Sequence, residues 1–438
     1  MNLLGFAVTA KCYVLLAIMF GLVTSLHGQK YDSVERERVK GMLKVIKSNV
    51  KKDYFDPNFG GIDLEARFSA AEERLSQATS TQQALGIIAQ VLVDFNDSHL
   101  FFIPPATNLV VDYGWKMQAF GNDIYVTSVK PKSDAEAKGV KVGDMIAAIG
   151  GFKPNRKELW KMLYYYNTIS RRDRMSLTLL SPGASAPRTV EVLSDMKRSP
   201  QAITFQTYFR AFDDFHNEEN DKHRFQTIGS VNVWRMPGFD FDPNQVDVIM
   251  GRFSQGQPLI IDLRGNPGGY VKTLERLAGY FFETDMKLAD LKGRKPMDPM
   301  LAKTKGKDVF KGRLIVLTDA RSGSASEIFA RVIQLEKRGT VLGDVSSGAV
   351  RQSRTEQGKL GTDSIVLFGV SVTNADVIMS DGKTLEHVGV QPDELIIPTP
   401  DDLANGRDPV LARAVELLGA RISPEDAGKL FRYYYWKN

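Results

Sequence analysis

The sequence predicts a multidomain α/β protein. Continuous apolar strands run into helices in its second half, a charged periodic stretch opens it, and 438 residues exceed one ordinary core. From Tyr31 to Leu92 apolar residues recur at three- and four-residue steps, as in VERERVKGMLKVIKSNVKK. That spacing predicts a small helical domain, ended by Pro104 and Pro105. Between about Ala106 and Leu193, DIYVTSV alternates as a strand, DAEAKG reads as a short helix closed by Gly139, and VKVGDMIAAIGG turns into another strand. ELWKMLYYY fits an amphipathic helix, and MSLTLL pairs with TVEVL across the SPGASAP loop. From about Phe205 onward PLIIDLRG precedes GGYVKTLERLAGYFFE, and RLIVLTD precedes SASEIFARVIQLEKRG. Each is a buried strand feeding a helix. DPVLARAVELLG reads as a final helix.

Composition narrows the function classes. A hydrophobic share of 43% and a charged share of 25% are ordinary for a globular chain. The net charge of +5 is small, and Lys and Arg are interleaved with Asp and Glu, so no nucleic-acid partner is expected. At the N-terminus MNLLGFAVTAK carries one lysine, and CYVLLAIMFGLVTSL is too short and too early for a spanning helix. Residues 1–28 are therefore expected to be a secretory signal cleaved near Gly28, giving a periplasmic or secreted protein; an uncleaved anchor is the alternative. No later stretch is long enough to cross a bilayer, so no stable membrane insertion is expected after processing. Cys12, the only cysteine, lies in that signal, which removes disulfides and thiolate chemistry from consideration. His27 would leave with it, and His99, His216, His223 and His387 are scattered, without HExxH spacing. Neither a metal nor an organic cofactor is expected.

Four stretches could carry chemistry. In RLIVLTDARSGSASEIFARVI a buried strand, a small-residue turn and a helix follow one another, placing Ser324 where free N–H groups and the helix dipole favour negative charge. Ser324 and Glu327 also fit an S-x-x-E capping box, and on this stretch alone capping is favoured. In IIDLRGNPGGYVKTLERLAGYFF the Gly-rich turn lacks the GK[ST] ending of a P-loop and the spacing of a dinucleotide fingerprint; its N–H groups are free to face a carbonyl oxygen. DFNDSHLFF offers Asp97, Ser98 and His99, although a lone histidine is more often structural. TLEHVGVQPDELI holds Glu386 before a turn, where a glutamate is ordinarily a solvated charge.

Together, and in this order, DSH, DLRGNPGG, SGSASEIFA, LGDVSSGAV and EHVGVQPD resemble the tail-specific, or C-terminal processing, serine peptidases and the related tricorn core. The resemblance covers about residues 35 to 400. It implies a crotonase-like ββα-spiral protease domain over residues 196–438, a PDZ-like α+β domain over 106–195 and an N-terminal helical domain over 29–105 that ends in the Asp-Ser-His motif. It places the nucleophile on Ser324. The Ser–Lys branch would put its lysine at Ala349, and no lysine occurs between Lys337 and Lys359. The Asp-Ser-His motif is instead similar to the tricorn-like Ser–His branch, implying a relay Glu386, Ser98, His99, Ser324, with Asp381 and Asp393 as rivals to Glu386. Oxyanion donors are implied at the backbone N–H of Gly268 or Gly269 and of Ala325. By the same resemblance VTSVKPKSDAEAKGVKVGDMIAAIGG is PDZ-like, with a peptide end received near Gly114, Trp115 and Lys116. A rigid spacer or a lid is the other role for this module. The implied activity is serine endopeptidase action on unfolded or C-terminally exposed peptides of exported proteins. A non-catalytic carrier, like the similar retinoid-binding modules, and a peptide-binding pseudoprotease are the competing functions.

Overall fold

The first helices form because caps and apolar stripes coincide. Asp32 caps α1 (Ser33–Asp53) by accepting the Glu35 N–H at 3.0 Å, and Val39, Met42, Leu43, Ile46 and Val50 make one buried stripe. Asp63 and Ser80 cap α2 (Leu64–Ser76) and α3 (Thr81–Val93) in the same manner. These helices do not close a core by themselves. Their apolar faces also bury Phe102 of β1 (Phe101–Ile103) and Phe368, Val370 and Val372 from a strand much later in the chain.

The computed structural model describes residues 31–107, 109–198, 223–254, 256–361 and 365–431; the expected signal with Cys12 and His27, and also His216, lie outside them. After β2 (Leu109–Asp112), an antiparallel sheet runs in chain order. It comprises β3 (Trp115–Phe120), β4 (Asp123–Val129), α4 (Asp134–Ala137) on the crossing to β5 (Met145–Ile149), α5 (Leu159–Tyr164), β6 (Arg174–Leu180) and β7 (Arg188–Leu193). It has its own core around Val126, Ile146, Leu177 and Val192. β8 (Asp195–Arg198) then returns to pair with β2.

The rest of the chain builds two further sheets. β9 (Arg224–Ile228), β10 (Val231–Arg235), α6 (Pro243–Met250), β11 (Leu259–Asp262), α7 (Val271–Ala278), β12 (Met286–Lys292) and β13 (Met300–Ala302) come first. β14 (Leu314–Thr318), α8 (Ala325–Leu335), β15 (Thr340–Gly343), β16 (Arg351–Leu360), β17 (Val366–Ile378), β18 (Glu394–Leu395), α9 (Pro400–Ala404), α10 (Pro409–Leu417) and α11 (Pro424–Leu430) follow. One sheet has the order β18-β15-β14-β11-β10-β9 and is parallel except at β9. Every residue of LIID in β11 and LIVLT in β14 is buried. The reason is that α6, α7 and α8 cover one face, meeting Leu259, Ile261 and Val316, while α10 and α11 cover the other, meeting Ile260, Ile315 and Leu317. Among the described residues no helix is long and apolar enough to cross a membrane.

The remaining sheet brings distant segments together. β17 pairs with β16 along one edge, and on the other edge takes β1 at Gly369–Ser371 and β12 at Asp376–Ile378. Phe101 opposite Ser371 fixes the chain just after His99, and Arg351 opposite Asp376 fixes the chain just after Ala349.

At the end of β11 lies a buried ion cluster. Arg264, 1% exposed at its side chain, pairs with Asp262 and bidentately with Asp408 at 2.9 and 2.8 Å, and Arg235 adds a second cation to Asp262. Asp408 also caps α10 through the Leu411 N–H, so the cluster clamps α10 to the sheet. Burial alone would raise Asp262, but Arg264 and Arg235 overcome it and hold the carboxyl at about 2. A depressed carboxylate stabilises the fold above its unfolded-state value and loses that contribution on acidification. Denaturant midpoints should therefore fall as pH drops from about 4 toward 2, and an Asp262→Asn variant should lack that slope. Asp408→Ala, which strips a buried guanidinium of its bidentate partner, should cost about 3–5 kcal/mol in chemical denaturation.

Candidate active site

The loop between β14 and α8 is pinned before it reaches Ser324. Asp319 Oδ1 accepts the N–H groups of Gly265 and Arg321 at 2.8 and 2.9 Å, and the Ser322 hydroxyl donates to Leu263 O at 2.8 Å. Gly323 N–H and Ser326 Oγ both donate to Asn266 O at 2.9 Å. The Gly-rich turn of residues 265–269 and the loop carrying Ser324 are thus one unit. Ser324 itself has φ 52° and ψ −115°, a conformation that costs a non-glycine residue about 1–3 kcal/mol and persists where its surroundings impose it. Its N–H is shared between Ala349 O and Glu327 Oε2, each at 3.0 Å, while its Oγ takes no cap hydrogen bond. Half of the expected box is made, and the hydroxyl is left over.

Neither Gly268, which packs on Ser324, nor Gly269, which packs on Phe239 and Asp240, has room for a side chain. A Cβ on Gly268 (φ 105°) would stand 2.7 Å from Ser324 Cβ and 3.0 Å from Ala325 N; one on Gly269 (φ 138°) would stand 2.5 Å from the Phe239 backbone. The two differ in their N–H groups. Gly268 donates to Asn266 Oδ1 at 2.9 Å, whereas the N–H groups of Gly269 and Ala325 have no hydrogen-bond acceptor among the described residues.

A second group of residues forms around Glu386, which is buried. Its Oε2 accepts the Ser98 hydroxyl at 2.9 Å and the Val350 N–H at 2.8 Å, and its Oε1 accepts the Ser98 N–H at 3.0 Å. Ser98 Oγ also lies 2.7 Å from His99 Nδ1. The single hydroxyl proton of Ser98 goes to the carboxylate, so the short contact to Nδ1 requires the imidazole to donate there. Nε2 is thereby the unprotonated, basic nitrogen. His99 is partly exposed and held from behind, with its N–H on Asp97 Oδ1 at 2.9 Å and its carbonyl accepting Ser371 Oγ at 2.6 Å. Burial lowers the His99 pKa, opposed by the charges of Glu386 and Asp97 and aided by Arg351. Of the acids considered beside Glu386, Asp381 pairs with Arg331, and Asp393 accepts from Gln334 and the Val341 N–H.

Consecutive backbone groups join the two clusters. Ala349 O holds the Ser324 N–H, and the next residue, Val350, donates to Glu386. Among the described residues no hydrogen bond links Ser324 Oγ to the His99 ring. Gly114, Trp115 and Lys116 are in neither cluster. They start β3, with Gly114 (φ 74°) against Ser133 and the side chains of Trp115 and Lys116 buried. The same strand reaches the loop before Ser324 through Gln118, whose amide donates to Asp319 Oδ2 at 2.7 Å. Arg156 adds a second tie, to Asp344 at 2.8 Å.

Three residues carry more of the site than the sequence indicated. Glu327 was weighed only as a cap, yet it is fully buried and accepts four hydrogen bonds: from Ser324 N–H, Ala349 N–H, Gly348 N–H and Ser346 Oγ. Burial raises its pKa to about 7, against those donors, which favour the carboxylate. Asp97 accepts from Tyr54, His99, Thr373 and Arg351 and is the support of the Ser98–His99 segment. Arg351 stands two residues after Ala349, in a polar stretch, RQSRTEQ, that gave no signal for it. No group of three or more His, Cys, Asp or Glu side chains among the described residues is arranged to hold a metal ion.

Residues 228–396 match the model for "Peptidase family S41". The chain is 23% identical over 420 residues to a tricorn-like protease C-terminal subunit of Sulfurisphaera tokodaii, covering 91% of this chain and 45% of that protein. It is 23% identical over 364 residues to the tail-specific protease of Haemophilus influenzae, covering 75% and 50% respectively. The chain thus spans about half the length of these two relatives. The crystal structure of mature CPAF superposes with a TM-score of 0.65 at 14% identity, covering 85% of this chain and 95% of that one, which shows a shared fold. The strained serine on a strand-to-helix turn and the Gly-rich turn packed against it both lie within residues 228–396, the part of the chain that is similar to peptidase family S41.

Proposed function

We propose that the chain is a serine endopeptidase in which His99, not a lysine, activates Ser324. The observation that carries this reading is the continuous hydrogen-bonded series Glu386, Ser98, His99, closed between residues 288 positions apart. In the forward step the Ser324 hydroxyl attacks the peptide carbonyl carbon, and His99 Nε2 takes its proton. Ser98 and Glu386 hold Nδ1–H and stabilise the imidazolium. The carbonyl oxygen, now negative, is received by N–H groups at Ala325 and at Gly268 or Gly269. The resting geometry favours Gly269, because Gly268 is engaged with Asn266. His99 then gives its proton to the departing amine, and water releases the acyl group by the reverse sequence. Approach of Ser324 Oγ to Nε2 on substrate binding completes the site, as resting sites of this kind often tighten only in the complex.

The finer architecture follows the same reading: a crotonase-like spiral around the parallel sheet, and a PDZ-like module over residues 106–195. β3 is the edge strand of its sheet, so an added peptide strand would run beside Trp115–Phe120, with its carboxylate near Gly114, Trp115 and Lys116. An unfolded or C-terminally exposed peptide is the substrate class this fits. A periplasmic or secreted location rests on the signal reading of residues 1–28.

Ser324→Ala and His99→Ala should each abolish cleavage of a tailed peptide while keeping the parent's circular dichroism. Cleavage by Ser324→Ala at the parent's rate would overturn the reading. A fluorophosphonate probe should label Ser324, and a folded chain that does not label would favour the carrier function instead. Glu327→Gln places an amide N–H₂ among four donors, so it should cost about 1–3 kcal/mol in thermal unfolding and slow labelling as the Ser324 turn loosens.

A further inference from the structure

Arg351 hydrogen-bonds neither Ser324 nor the imidazole among the described residues, yet it lies beside the acid end of the relay and holds the carboxylate that supports His99. Its Nη1 donates to Asp97 Oδ2 at 2.7 Å, and Asp97 in turn holds the His99 N–H. Its Nε lies 3.8 Å from Glu386 Oε1 and 4.0 Å from Asp376 Oδ1, is buried, and makes no hydrogen bond among the described residues. The guanidinium stacks 4.6 Å from the centre of the Phe55 ring, which fixes where the charge sits. Other groups around this cluster are Tyr54, donating to Asp97, and His387, with Nε2 3.5 Å from Glu386 Oε1.

We propose that Arg351 is a positioning residue that keeps His99 unprotonated at rest by supplying the positive charge the surrounding carboxylates require. The proposal rests on the reading of His99 as the base. Asp97 and Glu386 hydrogen-bond only to donors, four and three respectively, as carboxylates do. With Asp376 nearby, three acidic groups converge on one permanent cation. Remove that cation and two imidazoles remain beside the acids: His387, with Nε2 3.5 Å from Glu386 Oε1, and the His99 ring, which meets Glu386 through the Ser98 hydroxyl and is the one that faces the relay. A protonated ring has no lone pair for the Ser324 proton. Arg351 stands beyond hydrogen-bond distance of Glu386, so it acts on the relay through charge. The Ser–Lys branch would set a lysine at position 349, whose neutral amine is the base itself; here an arginine, which stays charged, stands two residues along and is turned to the acid end.

The test is a titration of His99 by NMR in the Ser324→Ala protein, with the pH profile of fluorophosphonate labelling measured alongside in protein retaining Ser324. Arg351→Met should raise the His99 midpoint and shift the acid limb of labelling upward by about one pH unit or more. Arg351→Lys, which keeps the charge but not the fork, should return both to the parent values. An unchanged midpoint in Arg351→Met, or no recovery in Arg351→Lys, would overturn the proposal. Should Arg351→Met fail to fold because Asp97 is stranded, Arg351→Met/Asp97→Asn compared with Asp97→Asn alone asks the same question. The double variant must then show the higher midpoint. Failure of the parent to label would instead count against the serine peptidase reading, while the titration in Ser324→Ala still decides the role of Arg351.

Discussion

The crossing from Ser346 to Arg351 is the constraint on which the site depends. Over six residues it gives a hydroxyl and two N–H groups to Glu327, a carbonyl to the Ser324 N–H, an N–H to Glu386 and a guanidinium to Asp97. Each contact is short-ranged and directional, so none survives a shift of the segment by even half a residue. The crossing keeps its place because β15 precedes it in the parallel sheet and β16 follows it in register with β17. Two independent sheets therefore fix its two ends, and the chemistry hangs between them.

The buried acids in this region do different work, and their hydrogen bonds tell them apart. Glu327 receives one donor from Ser324 and three from the Ser346–Ala349 segment, which makes it a clamp between the two. Glu386 receives one hydroxyl whose oxygen is also in contact with an imidazole, which makes it the end of a proton-orienting series. Burial costs each of them solvation; the compensation comes from N–H and O–H donors in one case and from those plus the nearby Arg351 charge in the other. The small antiparallel sheet joins this arrangement through Gln118 and Arg156, which meet Asp319 and Asp344 at the ends of β14 and β15. It is consequently tied to the same two strands that carry the nucleophile loop and the crossing.

Much of the fold was legible because the relevant signals are local. Apolar runs such as LIIDL and LIVLT and the alternation in DIYVTSV each act within a few residues. What was not legible is pairing at long separation. Nothing in VERERVKGMLKVIKS says that the helices complete their core on Phe368, Val370 and Val372. In the site, the motifs DSH and SGSASEIF could be found by inspection, and Glu386 could be reached only through resemblance, since a glutamate before a turn looks solvated in sequence. The structure buries it because Ser98 and Val350 come to it from elsewhere. Arg351 and Asp97 escaped for the same reason: their meaning lies in each other. The choice between Gly268 and Gly269 was likewise beyond sequence, because it turns on the Asn266 side chain folding back onto one N–H.

The bond from Ser98 to Glu386 spans 288 residues. During synthesis, a chain that has emerged only through α8 carries the serine and the imidazole but not the carboxylate that orients them, nor the crossing that seats the serine. The hydrogen bonds of Ser98 to Glu386 thus wait on the loop between β17 and β18, late in the chain. Under the proposed peptidase reading, translation itself would withhold the final part of the site until the rest is in place.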